Sequence, residues 1–127
     1  MKANELMIGD YVIRKNVLKE ILIVVVIDSI RNIVYLDLNG LGITEKIENI
    51  ESIPLTDEIL KKNFSSTPDC YFIGTNKFYF RIYKYKDKWG LYFGRDGRGT
   101  NLQIKISYVH ELQHALRLCN IKKEIEL

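Results

Sequence analysis

The chain has 127 residues, of which 46% are hydrophobic and 28% are charged, and its formal net charge is +3. This length and apolar content predict one compact domain over residues 1–127 and leave no room for a second full domain. Because Lys and Arg nearly balance Asp and Glu, the net charge does not by itself indicate a polyanion partner.

Three features predict a cytoplasmic protein that does not enter a membrane. The opening MKANELMIGD has no apolar stretch of the kind found in signal peptides. The longest apolar run, residues 21–27, is too short to cross a bilayer. Cys70 and Cys119 stand far apart without metal-ligand spacing, which is typical of reduced thiols in a reducing compartment.

The first part of the chain predicts a lobe of short strands. Tight turns are expected at Arg31-Asn32 and at Asn39-Gly40. The β-branched run at 20–29 is typical of a long buried strand. The other predicted strands are at 11–14, 33–38 and 43–47. Strands this short, joined by turns this tight, predict an SH3-like small β-barrel over residues 1–55.

The second part predicts a lobe of helices and an antiparallel sheet. After a break at Pro54, Thr56 is a typical N-cap, and Asp57 in the first turn suits the helix dipole, so a helix is predicted to about Asn63. Strands are predicted at 70–74, 77–86, 89–94 and 102–106, and a second helix at 108–118. The fold class is therefore predicted as α+β, with lobes at 1–55 and 56–127.

The glycine-rich stretch GRDGRG contains Gly94, Gly97 and Gly99. A phosphate-binding loop should lead directly into a helix N-terminus, and here a strand is expected to follow. The stretch is therefore interpreted as a hairpin loop over residues 94–100.

The string His110-Glu111-Leu112-Gln113-His114 matches H-E-x-x-H, the pattern of zinc hydrolases. In that alternative, His110 and His114 are metal ligands for zinc and Glu111 is the general base. At about 100° per residue, however, both His fall opposite the apolar side of the predicted helix, where they should meet solvent.

A third ligand for zinc is also hard to supply, since a Glu ligand would have to be Glu124 or Glu126 on the short tail after the helix. The chain has no other His, and Arg117 and Asn120 stand where the metzincin extension requires Gly and His. We therefore predict no catalytic residue, no metal ligand and no cofactor, and keep zinc as the alternative.

The segment 76–98 interleaves Lys and Arg with aromatic residues and contains only two Asp. Period-two alternation divides it into two faces. One face has Phe78, Phe80 and Ile82; the other has Tyr79, Arg81, Tyr83 and Tyr85.

The face with Tyr and Arg81 has three interpretations. In ordinary strand design, aromatic residues fill the core and basic residues keep the other face hydrated. Exposed Tyr beside Arg is also typical of protein interfaces, whereas aromatic residues among Lys and Arg can bind nucleic acid. We take Tyr79, Arg81, Tyr83 and Tyr85 as the candidate binding surface, for an unknown protein partner, with nucleic acid as the alternative.

Three segments together resemble a family of small, functionally uncharacterised proteins of Bacteroides-type bacteria and their phages or mobile elements. They are MKANELMIGDYV, IESIPLTDEILKKNF and YVHELQHALRLCNIKKEIEL. The resemblance implies strings similar to YVHQLQN in relatives, so Glu111 and His114 are not expected to be a shared catalytic pair. It implies a conserved scaffold of unknown role and no enzyme class. We predict a small cytoplasmic binding or adaptor protein of a bacterial accessory or phage-derived system.

Overall fold

A computed structural model describes residues 1–15, 17, 20–74, 78–95 and 98–127. The chain divides into two compact units, and neither is continuous in sequence. Unit 1 consists of Met1–Pro54 with Tyr108–His114, and unit 2 of Leu55–Ser107 with Ala115–Leu127. In the described residues, two antiparallel sheets and two α-helices confirm the predicted α+β class. The single domain with lobes at 1–55 and 56–127 stays a prediction.

The sheet of unit 1 has five antiparallel strands in the order β4-β3-β2-β1-β5. They are β1 (Tyr11–Arg14), β2 (Ile21–Asp28), β3 (Ile33–Leu38), β4 (Leu41–Lys46) and β5 (Ile50–Ser52). Asn32 and Asn39 adopt φ values of 57° and 50° in the turns on either side of β3. Asn tolerates this left-handed conformation better than most residues, which explains both turns. A short 3₁₀ helix, Ile47–Asn49, leads from β4 into β5.

The predicted SH3-like barrel is not confirmed, because the sheet of unit 1 is open: within the described ranges no ladder joins its edge strands β4 and β5. The prediction that β2 is buried throughout is also wrong. Leu22 and Val24 lie in the core, whereas Ile21, Ile23 and Val25 are exposed. A one-sided sheet buries alternate residues only, and a β-branched run has no polar residue to mark the outer face.

Unit 2 begins with α1 (Asp57–Asn63), whose N-cap follows the predicted pattern. The Thr56 hydroxyl accepts a hydrogen bond from the Ile59 N–H at 3.3 Å. At the other end, the Asn63 side chain donates to the Glu126 carbonyl and accepts from the Glu126 N–H, both at 2.7 Å. These bonds tie the C-terminal segment to α1.

The sheet of unit 2 has the strand order β10-β9-β8-β7-β6. The strands are β6 (Ser65–Ser66), β7 (Tyr71–Gly74), β8 (Phe78–Tyr85), β9 (Lys88–Arg95) and β10 (Arg98–Ile106). One face of this sheet is buried and includes Phe80, Ile82, Trp89, Leu91 and Ile106. The alternation predicted for 78–85 is thus observed in β8. Lys77, the predicted first residue of that strand, lies outside the described residues.

The hairpin loop predicted over 94–100 is wrong in extent. Gly94 belongs to β9 and Gly99 to β10, and the two residues pair with each other. Gly97 lies outside the described residues. The strands therefore continue through residues whose type usually marks a loop.

The last helix is α2 (Val109–Leu118), close to the predicted range 108–118. Its N-terminus is fixed by Glu111, whose Oε1 accepts a hydrogen bond from the Tyr108 N–H at 3.1 Å. Leu112 and Leu116 are buried, as expected from the apolar periodicity. In the described part of the chain, neither helix has the length and apolar character needed to cross a membrane.

Candidate functional site

The second His of the HELQH string contacts a buried carboxylate within unit 1. His114 Nε2 lies 2.9 and 2.8 Å from the two carboxylate oxygens of Asp10. Asp10 is 0% exposed, and its Oδ2 also accepts a hydrogen bond from the Met7 N–H at 2.7 Å. A buried carboxylate requires such partners because desolvation of an unpaired charge is strongly unfavourable. The Nε2 atom of His114 is therefore engaged with the Asp10 carboxylate.

His110 is also buried, with 6% exposure, so its predicted position on the solvent side of the helix is wrong. Its ring centroid lies 5.9 Å from that of Tyr108 and 5.5 Å from that of His114. Burial lowers the pKa of His110, although the nearby Asp10 carboxylate acts in the opposite direction. In the described part of the chain, His110 Nδ1 is buried without a hydrogen-bond partner.

The helix side that was predicted to meet solvent also contains Gln113, which binds the backbone of Gly9 and Tyr11. Gln113 is 9% exposed; its Oε1 accepts a hydrogen bond from the Tyr11 N–H at 3.0 Å, and its Nε2 donates to the Gly9 carbonyl at 3.1 Å. Helical periodicity separates apolar from polar residues, but polar residues can be buried wherever hydrogen bonds satisfy them.

The side chains of the zinc alternative are therefore engaged in contacts that hold the fold of unit 1. Glu111 caps the helix, and His114 Nε2 faces Asp10. Across the described residues, no group of three or more His, Cys, Asp or Glu side chains is arranged to hold a metal ion. The geometry of the string is that of a structural hydrogen-bond cluster.

A second candidate lies on the outer face of the unit 2 sheet, where tyrosine rings cover glycines of neighbouring strands. The β8–β9 register places Tyr83 opposite Gly90 and Tyr79 opposite Gly94. A Cβ atom added at either glycine would overlap the ring of its partner. Both glycines are consequently buried although they face outward. These positions require glycine because the rings occupy the space of a side chain.

Tyr92 repeats this arrangement on the next strand. A Cβ atom added at Gly99 in β10 would overlap its ring and hydroxyl group. The rings of Tyr92 and Tyr79 are nearly parallel, with an interplanar angle of 16° and centroids 5.7 Å apart. A hydrogen bond with Tyr79 raises the pKa of Tyr92. We call the rings of Tyr79, Tyr83 and Tyr92, with the glycines beneath them, the tyrosine platform.

Basic side chains lie against these rings. Arg81 Cζ is 4.8 Å from the ring centroid of Tyr79 and 5.9 Å from that of Tyr92. Lys105 Nζ is 4.3 Å from the centroid of Tyr85 and 5.7 Å from that of Tyr83. Cations at this distance from an aromatic ring are attracted by its negative face. The platform therefore combines ordered rings with fixed positive charge.

An open groove of about 720 Å³ borders the platform at Tyr79 and Arg81. Its other lining residues come from β7 and the segment before it: Thr67, Asp69, Cys70, Phe72 and Gly74. The Thr67 hydroxyl accepts a hydrogen bond from the Cys70 N–H at 3.2 Å and thereby shapes this rim. A ligand on the platform can extend into the groove past Arg81.

All four residues predicted as a binding surface lie on the platform face of β8. The prediction did not include Tyr92, Lys105, or the role of Gly90, Gly94 and Gly99. The signal that identifies the first two glycines is the register of the β8–β9 hairpin. Once the turn after Tyr85 is fixed, each Tyr of β8 at 79 and 83 falls opposite a Gly of β9. The contribution of β10 requires the third strand to be in place.

Comparison of the chain with protein-family models, with curated proteins and with solved structures gave no match. The resemblance to the Bacteroides-type family stays a prediction.

Proposed function

We propose that this chain is a non-enzymatic binding protein that contacts its partner through the tyrosine platform of unit 2. The observation that supports this function is the seating of three tyrosine rings on glycines, with Arg81 against two of the rings. Rings held in this way lose little conformational freedom on binding, so more of the contact energy contributes to affinity. Tyr and Arg are also the residues enriched at the energetic centres of interfaces.

The glycines support the proposal independently. Glycine inside a strand is less favourable than alanine by about 0.5 to 1 kcal/mol, because it restricts a more flexible chain and contributes no side chain. Unit 2 has three such positions on one face, at Gly90, Gly94 and Gly99. A partner surface explains these glycines, because they leave room for the tyrosine rings that contact the partner.

The cytoplasmic location and the adaptor role in an accessory or phage-derived system rest on the sequence and belong to this proposal. So does the SH3-like character of unit 1. It is supported by five short strands, by the pairing of β1 with both β2 and β5, and by the 3₁₀ helix before β5. The open edge between β4 and β5 is the difference from a closed barrel.

Selection experiments test the proposed function without assuming the class of partner. A random peptide library and a random oligonucleotide library are each selected on immobilised wild-type protein. Ligands are then measured on the Arg81→Ala/Tyr92→Ala variant. At least one library should yield ligands whose affinity falls by about tenfold or more in this variant, as expected for residues at an interface centre.

A matched control is the Arg31→Ala/Tyr35→Ala variant, which removes an exposed Arg and an exposed Tyr from unit 1. It should bind the selected ligands like wild type. Ligands from both libraries that bind all three proteins alike, or two selections that yield no ligand, would contradict the proposed function.

A further inference from the structure

We infer that the ligand of the tyrosine platform is single-stranded nucleic acid, with bases stacked on the rings and phosphates beside Arg81, Lys88 and Lys105. The inference rests on the proposed function and names the partner class. Proteins that bind single strands without sequence preference combine a positive surface with aromatic side chains that stack successive bases.

Charge supports this class of ligand. Strands β8, β9 and β10 contain six Lys or Arg residues and no Asp or Glu. Arg81 and Lys105 lie against the platform rings, and Lys88 pairs with Tyr85 on the same face. The net charge of the entire chain is only +3, so positive charge is concentrated on this sheet. The platform face itself carries three of these six charges, Arg81, Lys88 and Lys105, and no carboxylate from the three strands, which complements a polyanion.

Ring orientation supports it as well. A ring that lies across a glycine turns its face away from the sheet, and a nucleobase can stack on that face. The rings of Tyr79 and Tyr92 are nearly parallel, and the Arg81 guanidinium, which lies over both rings, is itself a plane on which bases stack. A duplex has its base faces already stacked, so the platform suits single strands.

A protein partner fits these observations less well. Lys is depleted at the centres of protein interfaces, whereas Lys105 lies against two rings here. A protein would also have to be strongly acidic to match a surface without carboxylates on β8, β9 or β10. An acidic peptide is therefore the competing ligand in the test.

The experiment is a fluorescence anisotropy titration with a labelled oligo(dT) of about twelve nucleotides, which is within the usual site size. Polyphosphate, which has charge without bases, a duplex of the same length and an oligo-glutamate peptide serve as competitors. We expect the single strand to bind about tenfold or more tightly than any competitor. With three phosphate contacts, affinity should fall roughly 10- to 20-fold between 50 and 200 mM salt.

Variants separate stacking from charge. Tyr92→Phe should retain binding because it keeps the ring, whereas Tyr92→Leu should weaken it by about tenfold. Tyr35→Leu in unit 1 is the matched control and should bind like wild type. Thermal melts verify that each variant is folded. If Tyr92→Leu does not fold, Arg81→Lys replaces it and should weaken binding of oligo(dT) but not of polyphosphate, because it removes only the plane.

Three outcomes overturn the inference. Equal affinity for oligo(dT) and polyphosphate shows a surface that recognises charge alone. Tighter binding of oligo-glutamate shows a protein-type partner. Absence of oligo(dT) binding at 50 mM salt excludes single-stranded nucleic acid as the ligand. In each case, platform-dependent ligands from either selection leave the proposed function intact, whereas the absence of such ligands from both selections contradicts the inference and the proposed function together.

Discussion

At the scale of single residues, buried polar groups of this protein are satisfied by partners far away in sequence. Asp10 and His114 are 104 positions apart, and their side chains lie within 3 Å of each other. The carboxylate is fully buried, whereas His114 retains 28% of its side-chain exposure. Removing the imidazole therefore leaves the Asp10 carboxylate, which has no access to water, with one hydrogen-bond partner fewer.

We predict that His114→Ala lowers the free energy of unfolding by about 2 kcal/mol, since hydrogen bonds to charged groups contribute more than neutral ones. Urea unfolding at neutral pH measures the loss. In an Asp10→Asn background the same change should have a clearly smaller effect. A loss below about 0.5 kcal/mol in the wild-type background would instead fit the solvent-exposed His predicted from the sequence.

Tyr71 is a second buried residue with a defined partner. Its hydroxyl donates a hydrogen bond to the Asp57 carboxylate at 2.7 Å. This bond, together with burial and the charge of Asp57, raises the pKa of Tyr71 to about 12. Because the folded pKa lies above the ordinary value of 10, the protonated hydroxyl stabilises the folded chain below pH 10.

The stabilisation by Tyr71 should disappear as the pH rises from about 10 to about 12. Wild type should therefore be more stable than Tyr71→Phe at pH 8, and this difference should shrink at higher pH. Paired urea melts from pH 8 to pH 11 measure it, since ionisation of other groups affects both proteins alike. A difference that stays constant over this range would show that the hydrogen bond does not set the pKa.

At the scale of elements, the sheet of unit 2 depends on glycines that would ordinarily weaken a strand. At Gly90 the ring of Tyr83 occupies the position of a Cβ atom. Gly42 in β4 is a matched comparison, because a Cβ atom there would meet nothing within 4 Å. The two glycines should therefore respond to substitution in opposite ways.

We predict that Gly90→Ala destabilises the protein by about 1 to 3 kcal/mol, the usual range for an overpacked site. The same change in a Tyr83→Ala background should be neutral or stabilising, because the ring is gone and alanine restricts the unfolded chain. Gly42→Ala should be neutral or stabilising in wild type. Denaturant melts of this double-mutant cycle measure the coupling. Equal effects of Gly90→Ala in both backgrounds would show that the ring is not what requires glycine.

At the scale of the whole molecule, both units are assembled from separated stretches of chain. Unit 1 takes Tyr108–His114 from the far end of the sequence. That stretch supplies Gln113 to the backbone of Gly9 and Tyr11, and its Val109 N–H donates to the Ile53 carbonyl at 2.9 Å. A fragment that ends after Pro54 lacks all of these hydrogen bonds.

We predict that a fragment of residues 1–54 shows no cooperative thermal transition, because about 50 residues are marginal for folding and its buried polar groups lose their partners. A matched fusion protein, in which a Gly/Ser linker joins residues 1–54 to 107–119, should unfold cooperatively. Circular dichroism and proton NMR dispersion report both. Cooperative unfolding of 1–54 alone would show that the distant stretch is dispensable for unit 1.

Local patterns determined much of the secondary structure. The N-cap at Thr56, the turns at Asn32 and Asn39, and the alternation along β8 can be read from the sequence because each depends on neighbouring residues and a fixed backbone period. The four outward residues of β8 follow from that period alone.

Tertiary structure decided what these elements contact. On the polar side of α2, Gln113 is buried and His114 is partly buried, because backbone and side-chain groups more than 100 residues away bind them. Gly99 lies in β10 against the Tyr92 ring of the adjacent strand, whereas in the sequence glycine indicates a loop. Neither feature has a local signal, since burial and ring packing depend on which segments meet in space.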